Sequence, residues 1–270
     1  MKENTNSREF IVKTAENGKN YVDADSVQPI LHVTLGNSKT GICFNCNFPV
    51  FYTCRHDCEC YQKVKCYAMG GCYNFLSNQK EYSENYKFFA VNDSTVFVDA
   101  VNAEIAKNPR ISLFRWFTCG DIANSRFFLC MVQIAKDNPG IKFWAYTKKY
   151  SVVNSYLNNG GILPENLRII FSHWLNDDGT YFPMNNPHNL PTSEFVPMGK
   201  EYLLESVSHI CPCSDPSFTG TCSTCDYPCH SLKNGESMAL CEHSTVKTRK
   251  RDKELKEAKK AAKEAAKNVK

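Results

Sequence analysis

The sequence predicts an α/β protein built on a parallel sheet, and an ordered alternation of segments carries that prediction. Apolar strand-like runs at 111–117, 141–146 and 167–171 are separated by segments of helical periodicity at 122–135 and 151–158, with a further helical segment at 95–107. The helical segments end on stop signals: Asn108-Pro109, Asp137-Asn-Pro-Gly140 and Gly160-Gly161. Strand, helix, strand, helix, strand implies crossover connections and parallel pairing.

An apolar, β-branched run at 30–35 reads as the first strand, closed by a loop at 36–41. The helix at 95–107 follows from Val98, Val101 and Ile105, which recur at helical spacing. In parallel sheets, ligands gather at the carboxyl ends of the strands. Each predicted strand is followed there by polar residues: Thr118 and Asp121, Thr147 and Lys148, Ser172 and His173. Asp121, Lys148 and Ser172 are therefore the candidate cofactor-binding residues.

Composition narrows the class. A chain of 270 residues with 42% hydrophobic and 12% aromatic residues can build a sizeable core. No apolar run reaches eighteen residues, so no membrane span is expected. The N-terminus is polar, without the apolar stretch of a secretory signal. Fifteen cysteines without such a signal point to metal or redox chemistry in a reducing, cytoplasmic setting rather than to disulfides. The net charge of +4 is uneven: residues 246–270 carry eleven Lys or Arg against four Asp or Glu, a net of +7, which leaves the remainder at −3. That balance excludes a uniformly basic nucleic-acid-binding domain.

Thirteen of the cysteines fall in two groups. The first holds Cys43, Cys46, Cys54, Cys58, Cys60, Cys66 and Cys72; the second holds Cys211, Cys213, Cys222, Cys225, Cys229 and Cys241, followed by His243. Thiolates are soft ligands for zinc, copper(I) or iron–sulfur clusters. In the first group, Cys54, Cys58, Cys60 and Cys66 are the candidate ligands. Three of them can hold three irons of a [4Fe–4S] cluster and leave the fourth iron open. A four-thiolate structural zinc knuckle is the alternative. Cys43, Cys46 and Cys72 form a second site or are plain buried thiols. In the second group, Cys222, Cys225 and Cys229 with Cys211 or Cys213 close a four-thiolate site, with Cys241 and His243 as alternative ligands. Cys119 and Cys130 read as buried structural thiols.

The residues resemble a known family. Residues 35–41, 52–68, 114–121, 143–149, 163–167 and 172–174, then the late Cys-Pro and Cys-x2-Cys set, occur in the order of the phage "gene product 88" family over roughly residues 30–243. That family is similar to radical S-adenosylmethionine (radical SAM) proteins, which carry three cysteines after the first strand of a partial (β/α) TIM-like barrel. The resemblance implies that fold, a [4Fe–4S] cluster with S-adenosylmethionine on its open iron, and the host cytoplasm as location. The usual spacing is Cys-x3-Cys-x2-Cys. Here the match falls on Cys54, Cys60 and Cys66, with Cys58 extra. Gly120-Asp121 stands where those proteins hold the cofactor's amino group.

Four divisions follow: a polar segment at 1–29, an α/β barrel-like domain at 30–210 holding the first cysteine group, a cysteine-rich metal-binding segment at 211–243, and a basic, helical tail at 244–270. Two functions fit. One is an iron–sulfur enzyme with an auxiliary second cluster. The other is a zinc-binding protein without catalysis that contacts nucleic acid through the tail. An iron–sulfur electron carrier or redox sensor lies between them.

Overall fold

The computed structural model describes residues 10–36, 40–197, 199–215 and 218–242. The tail at 244–270, His243 and the middle of the loop at 36–41 lie outside them. Two short strands, β1 (Val12–Thr14) and β2 (Asn20–Val22), pair antiparallel. The main sheet starts at β3 (Phe44–Cys46), followed by the short helices α1 (Val50–Thr53) and α2 (Glu59–Gln62) and the long helices α3 (Leu76–Val91) and α4 (Ser94–Ala106). Then come β4 (Leu113–Trp116), α5 (Ser125–Asp137), β5 (Lys142–Thr147), α6 (Tyr150–Asn158) and β6 (Leu167–His173). Strands β7 (Thr192–Val196), β8 (His209–Ile210) and β9 (Ser237–Cys241) complete it.

The strands stand in the order β3-β4-β5-β6-β7-β9-β8, and every pair is parallel. The expected α/β class and parallel pairing are present. The sheet is open among the described residues, with β3 and β8 as its edges. The described part of the cysteine-rich stretch is joined to the sheet, because β9 pairs between β7 and β8.

One expectation is corrected. The run at 30–35 is not a strand; only Thr34 bridges to Asn45, antiparallel, and covers the outer edge of β3. The first sheet strand instead lies inside the cysteine-rich zone. Side chains one residue apart on a strand face opposite ways. Thus Cys46, with Phe44, packs among the helices, while Cys43 packs under the other face. Cys72 is exposed. Cys43, Cys46 and Cys72 therefore do not converge on one site.

The two faces are covered differently. Phe114, Trp116, Phe143, Ala145, Leu167, Ile169 and Phe171 project toward the helices. Phe127 of α5 is the hub there, with ring centroids 4.8 Å from Phe48, 4.9 Å from Phe89 and 5.7 Å from Trp116. Asn124 starts α5 by accepting the Phe127 N–H at 3.0 Å. Arg126 closes the end of α3 by donating to the carbonyls of Phe89 (2.7 Å) and Asn92 (2.8 Å). The opposite face, with Trp144, Ile170 and Met238, is covered by Leu232 and the late cysteines. Both faces are buried, as parallel sheets require.

Phe127→Ala should cost about 3–5 kcal/mol in urea unfolding; a loss below about 1 kcal/mol would show that the hub does not organise the core. Asp23 offers a pH test. Burial pushes its carboxyl pKa up, but the Lys13 ammonium and Tyr52 hydroxyl, both at 2.7 Å, and the Asp25 N–H outweigh this and hold it below the usual value. The stability it contributes is present above its unfolded pKa, about 3.9, and is lost as pH falls through the lower folded value. The stability gap between the parent chain and Asp23→Asn should shrink on acidification below pH ~4.

Candidate functional site

The first cysteine group is built by the turn from β3 into α2. Cys54 ends α1, its N–H bonded to the Val50 carbonyl at 3.1 Å. Cys58 caps α2 and Cys60 lies within it; the Cys66 N–H returns to the Cys60 carbonyl at 2.9 Å. Between them Val64 has φ 55°, a conformation that a β-branched residue enters only under strain. Cys58 and Cys60 are buried, and Cys54 and Cys66 half-buried. The Cys58 and Cys60 sulfurs are 3.2 Å apart. Cys54 interacts electrostatically with Cys60 and Cys66, and Cys66 with Cys60. The charge that faces them lies just past the end of β5, two strands along the sheet from β3.

That charge is Lys148. Its burial favours the neutral amine, but the thiols of Cys60, Cys58 and Cys66 outweigh this and raise its pKa. Its Nζ lies 3.2 Å from Ser172 Oγ and 5.3 Å from the centroid of the Trp174 ring. The hydrogen bond shared with Cys58 brings Cys60 down to about 7 against the effect of burial, and Lys148 assists. Burial dominates at Cys66, pushing it up to about 11.

Asp121 ties these strand ends together. Its Oδ1 accepts from Thr147 Oγ1 at 2.5 Å and the Ile122 N–H at 2.7 Å; its Oδ2 accepts from the Lys148 N–H at 3.0 Å. Its own N–H donates to Thr53 Oγ1 at 3.0 Å. Burial raises its pKa in spite of these bonds. The preceding Gly120 has φ +97°, and a Cβ there would stand 2.5 Å from the Phe48 carbonyl oxygen. Asn47 steadies the same loop: its Oδ1 accepts from the Thr118 N–H (2.8 Å), Thr118 Oγ1 (2.7 Å) and the Cys119 N–H (3.1 Å).

The second group sits on the other face of the sheet. Cys211 follows β8, its N–H bonded to the Ala239 carbonyl of β9 at 2.9 Å. The Cys213 thiol bonds Cys211 and Cys222, and its bond brings Cys211 down to about 7 despite burial. Cys225 and Cys229 interact electrostatically with Cys211 and Cys222. The Tyr146 hydroxyl lies 2.7 Å from Cys229 Sγ. Gly41 lets the chain before β3 press on this group, since a Cβ there would stand 2.2 Å from Ser223 Oγ.

Arg115 of β4 lies beside the second group. Its guanidinium stands 5.4 Å from the centroid of the Tyr146 ring, and its buried Nε has no hydrogen-bond partner. Burial opposes its charge; its electrostatic partners are Tyr67, Tyr146, Cys222 and Tyr73. Among the described residues it makes no ion pair with a carboxylate.

All fifteen cysteines carry free thiols. Among the described residues, no three Cys, His, Asp or Glu side chains are arranged around a single ion position. No helix among them is long and apolar enough to cross a membrane.

The family model described as Gene product 88 matches residues 10–189, two thirds of the 270-residue chain. The chain belongs to the Gene product 88 family. No curated protein and no solved structure matches it. The matched span of this Gene product 88 chain holds Cys54, Cys58, Cys60, Cys66, Asp121, Lys148 and Ser172, and ends before the second cysteine group.

The structure gathers Cys58, Cys60 and Cys66 with Lys148 and Ser172, sets Cys54 beside Cys60 and Cys66, and links Asp121 to Lys148 through the backbone. It also brings Cys211, Cys213, Cys222, Cys225 and Cys229 into one neighbourhood. Sequence reasoning missed Asn47, Thr53, Arg115, Tyr150 and Trp174. Asn47 carries no local signal, because it follows a three-residue strand, Phe44–Cys46, that lies inside the cysteine-rich zone. Cys241 is half-buried, with its N–H on Ser214 Oγ at 3.0 Å.

Gly120→Ala should displace the 118–121 loop, because its Cβ meets backbone rather than a movable side chain. The expected loss is about 2 kcal/mol or more in thermal or urea unfolding. A variant as stable as the parent would show that the loop does not need this close approach.

Proposed function

We propose that this chain is an iron–sulfur enzyme of the radical SAM type, working on the carboxyl ends of a partial (β/α) barrel. The observation that carries the reading is the gathering of Cys58, Cys60 and Cys66 around the buried cation Lys148 at the ends of parallel strands, with Cys54 beside Cys60 and Cys66. Soft sulfur donors fit iron better than hard oxygen-binding metals. A [4Fe–4S] cluster spreads its thiolates around a cube, so it does not need them to share one ion position.

In this reading Cys54, Cys60 and Cys66 hold the cluster, and Cys58 hydrogen-bonds Cys60. Lys148 offsets the negative charge that ligated thiolates bring into a buried site. Ser172 holds the Lys148 ammonium, and Trp174 walls it from water. Asp121 orients the β4 and β5 ends, and Oδ2 keeps acceptor capacity for a cofactor amino group. Bound there, cluster and S-adenosylmethionine supply one-electron chemistry. Cys222, Cys225 and Cys229 with Cys211 or Cys213 hold an auxiliary cluster, and Arg115, which has no carboxylate partner among the described residues, supports an anionic occupant beside them.

Anaerobic purification should give a brown protein with about eight irons per chain. The triple variant Cys54→Ser, Cys60→Ser, Cys66→Ser should keep about four of them. Reductant should cleave S-adenosylmethionine with the parent chain and not with the triple variant. A colourless protein with stoichiometric zinc would overturn the proposal in favour of a structural zinc protein. Iron without cleavage would leave an electron carrier.

A further inference from the structure

A groove of about 790 Å³ opens beside the first cysteine group. Its floor is one face of α6, and its far wall includes Pro183, Met184 and Asn185. At its inner end stand Tyr150 and Arg55. Tyr150 interacts electrostatically with Lys148 and Cys58, so the groove runs up to the proposed site.

The floor carries amides and hydroxyls at helical spacing: Asn154 with Asn158, and Ser151 with Ser155 and Asn159. Asn154 is 5% exposed; its Nδ2 donates to the Asn185 carbonyl at 2.8 Å, and its buried Oδ1 has no partner. A buried acceptor left empty costs free energy until a donor fills it. Residues four apart on a helix rise by about 6 Å. Alternate residues of an extended chain repeat at about 6.6 Å. Both amides keep capacity for such a chain: Asn154 has its Oδ1 and a second Nδ2 hydrogen, and Asn158, whose Oδ1 accepts from His188 Nε2 at 2.8 Å, has its Nδ2 hydrogens and a second lone pair.

Other ligand classes fit worse. Nucleic acid binding calls for cations and stacking faces. Among the described residues lining the groove the one cation is Arg55, which is held by both carboxylate oxygens of Asp57 and lies 4.7 Å from the centroid of the Phe182 ring. The Tyr150 hydroxyl is engaged by the Ser172 carbonyl.

We infer that this groove binds an extended peptide segment through its backbone and presents it to the cysteine site, making a polypeptide the substrate class. The substrate role rests on the proposed site at the groove's inner end; the binding does not.

The test is fluorescence anisotropy with the full chain and a positional-scanning set of labelled, N-acetylated, C-amidated nonapeptides. At least one sub-pool should saturate. N-methylation of alternate peptide amides should weaken it about tenfold or more, the cost of roughly one or two hydrogen bonds. Asn154→Ala and the exposed Asn158→Ala should each weaken it by about tenfold; Asn158→Ala guards against a folding defect at buried Asn154. The inference is overturned if no sub-pool saturates, if N-methylated peptides bind equally well, if neither variant weakens binding, or if a nine-nucleotide RNA or maltoheptaose binds instead. Running iron-loaded and metal-free protein side by side separates the two ideas. Peptide binding by protein that stays colourless after anaerobic iron and sulfide loading would retain the groove and sink the iron–sulfur reading, whereas brown protein without peptide binding would do the reverse.

Discussion

The buried carboxylate of Asp121 is the tie on which the candidate site depends. Four bonds leave this residue, to Thr53, Ile122, Thr147 and Lys148, and they join three separate chain segments. Burying a carboxylate is costly unless its oxygens are satisfied, and here the satisfying groups are the strand ends themselves. Lys148 is thereby held by its backbone at one end and by Ser172 at the other. Its ammonium has a defined place before any ligand arrives.

The two faces of the sheet divide the work. Aromatic packing around Phe127 supplies rigidity on the helical side and needs no polar partner. The other face carries Arg115, Tyr146 and the late cysteines, a polar and sulfur-rich set over the same strands. Because β9 lies between β7 and β8, the late cysteines are fastened to the frame that positions the first group.

Periodicity made the middle of the chain legible. The strands at 113–116, 142–147 and 167–173 and the helices at 94–106, 125–137 and 150–158 fall within a few residues of their expected places. Each is an apolar segment with a clear stop. The first strand escaped because Phe44-Asn-Cys46 is only three residues long and hidden among cysteines, whereas 30–35 is more β-branched and yet covers an edge. Helix α3 escaped because Gln79, Ser83, Glu84 and Asn85 are buried polar residues, so its inward face does not read as apolar. Asp121, Lys148 and Ser172 were legible because parallel strands point their ends the same way. The Asn47 and Thr53 ties were not, because hydrogen bonds across about 70 residues leave no local pattern.

The guanidinium of Arg115, which has no carboxylate partner among the described residues, has a consequence under the iron–sulfur proposal. Phenols and thiols give a buried cation little compensating charge, whereas an anionic occupant beside them would supply it. Loading and folding would then be coupled: the unloaded chain would open more readily around β4 and meet proteases first, and loading would hold the sheet shut.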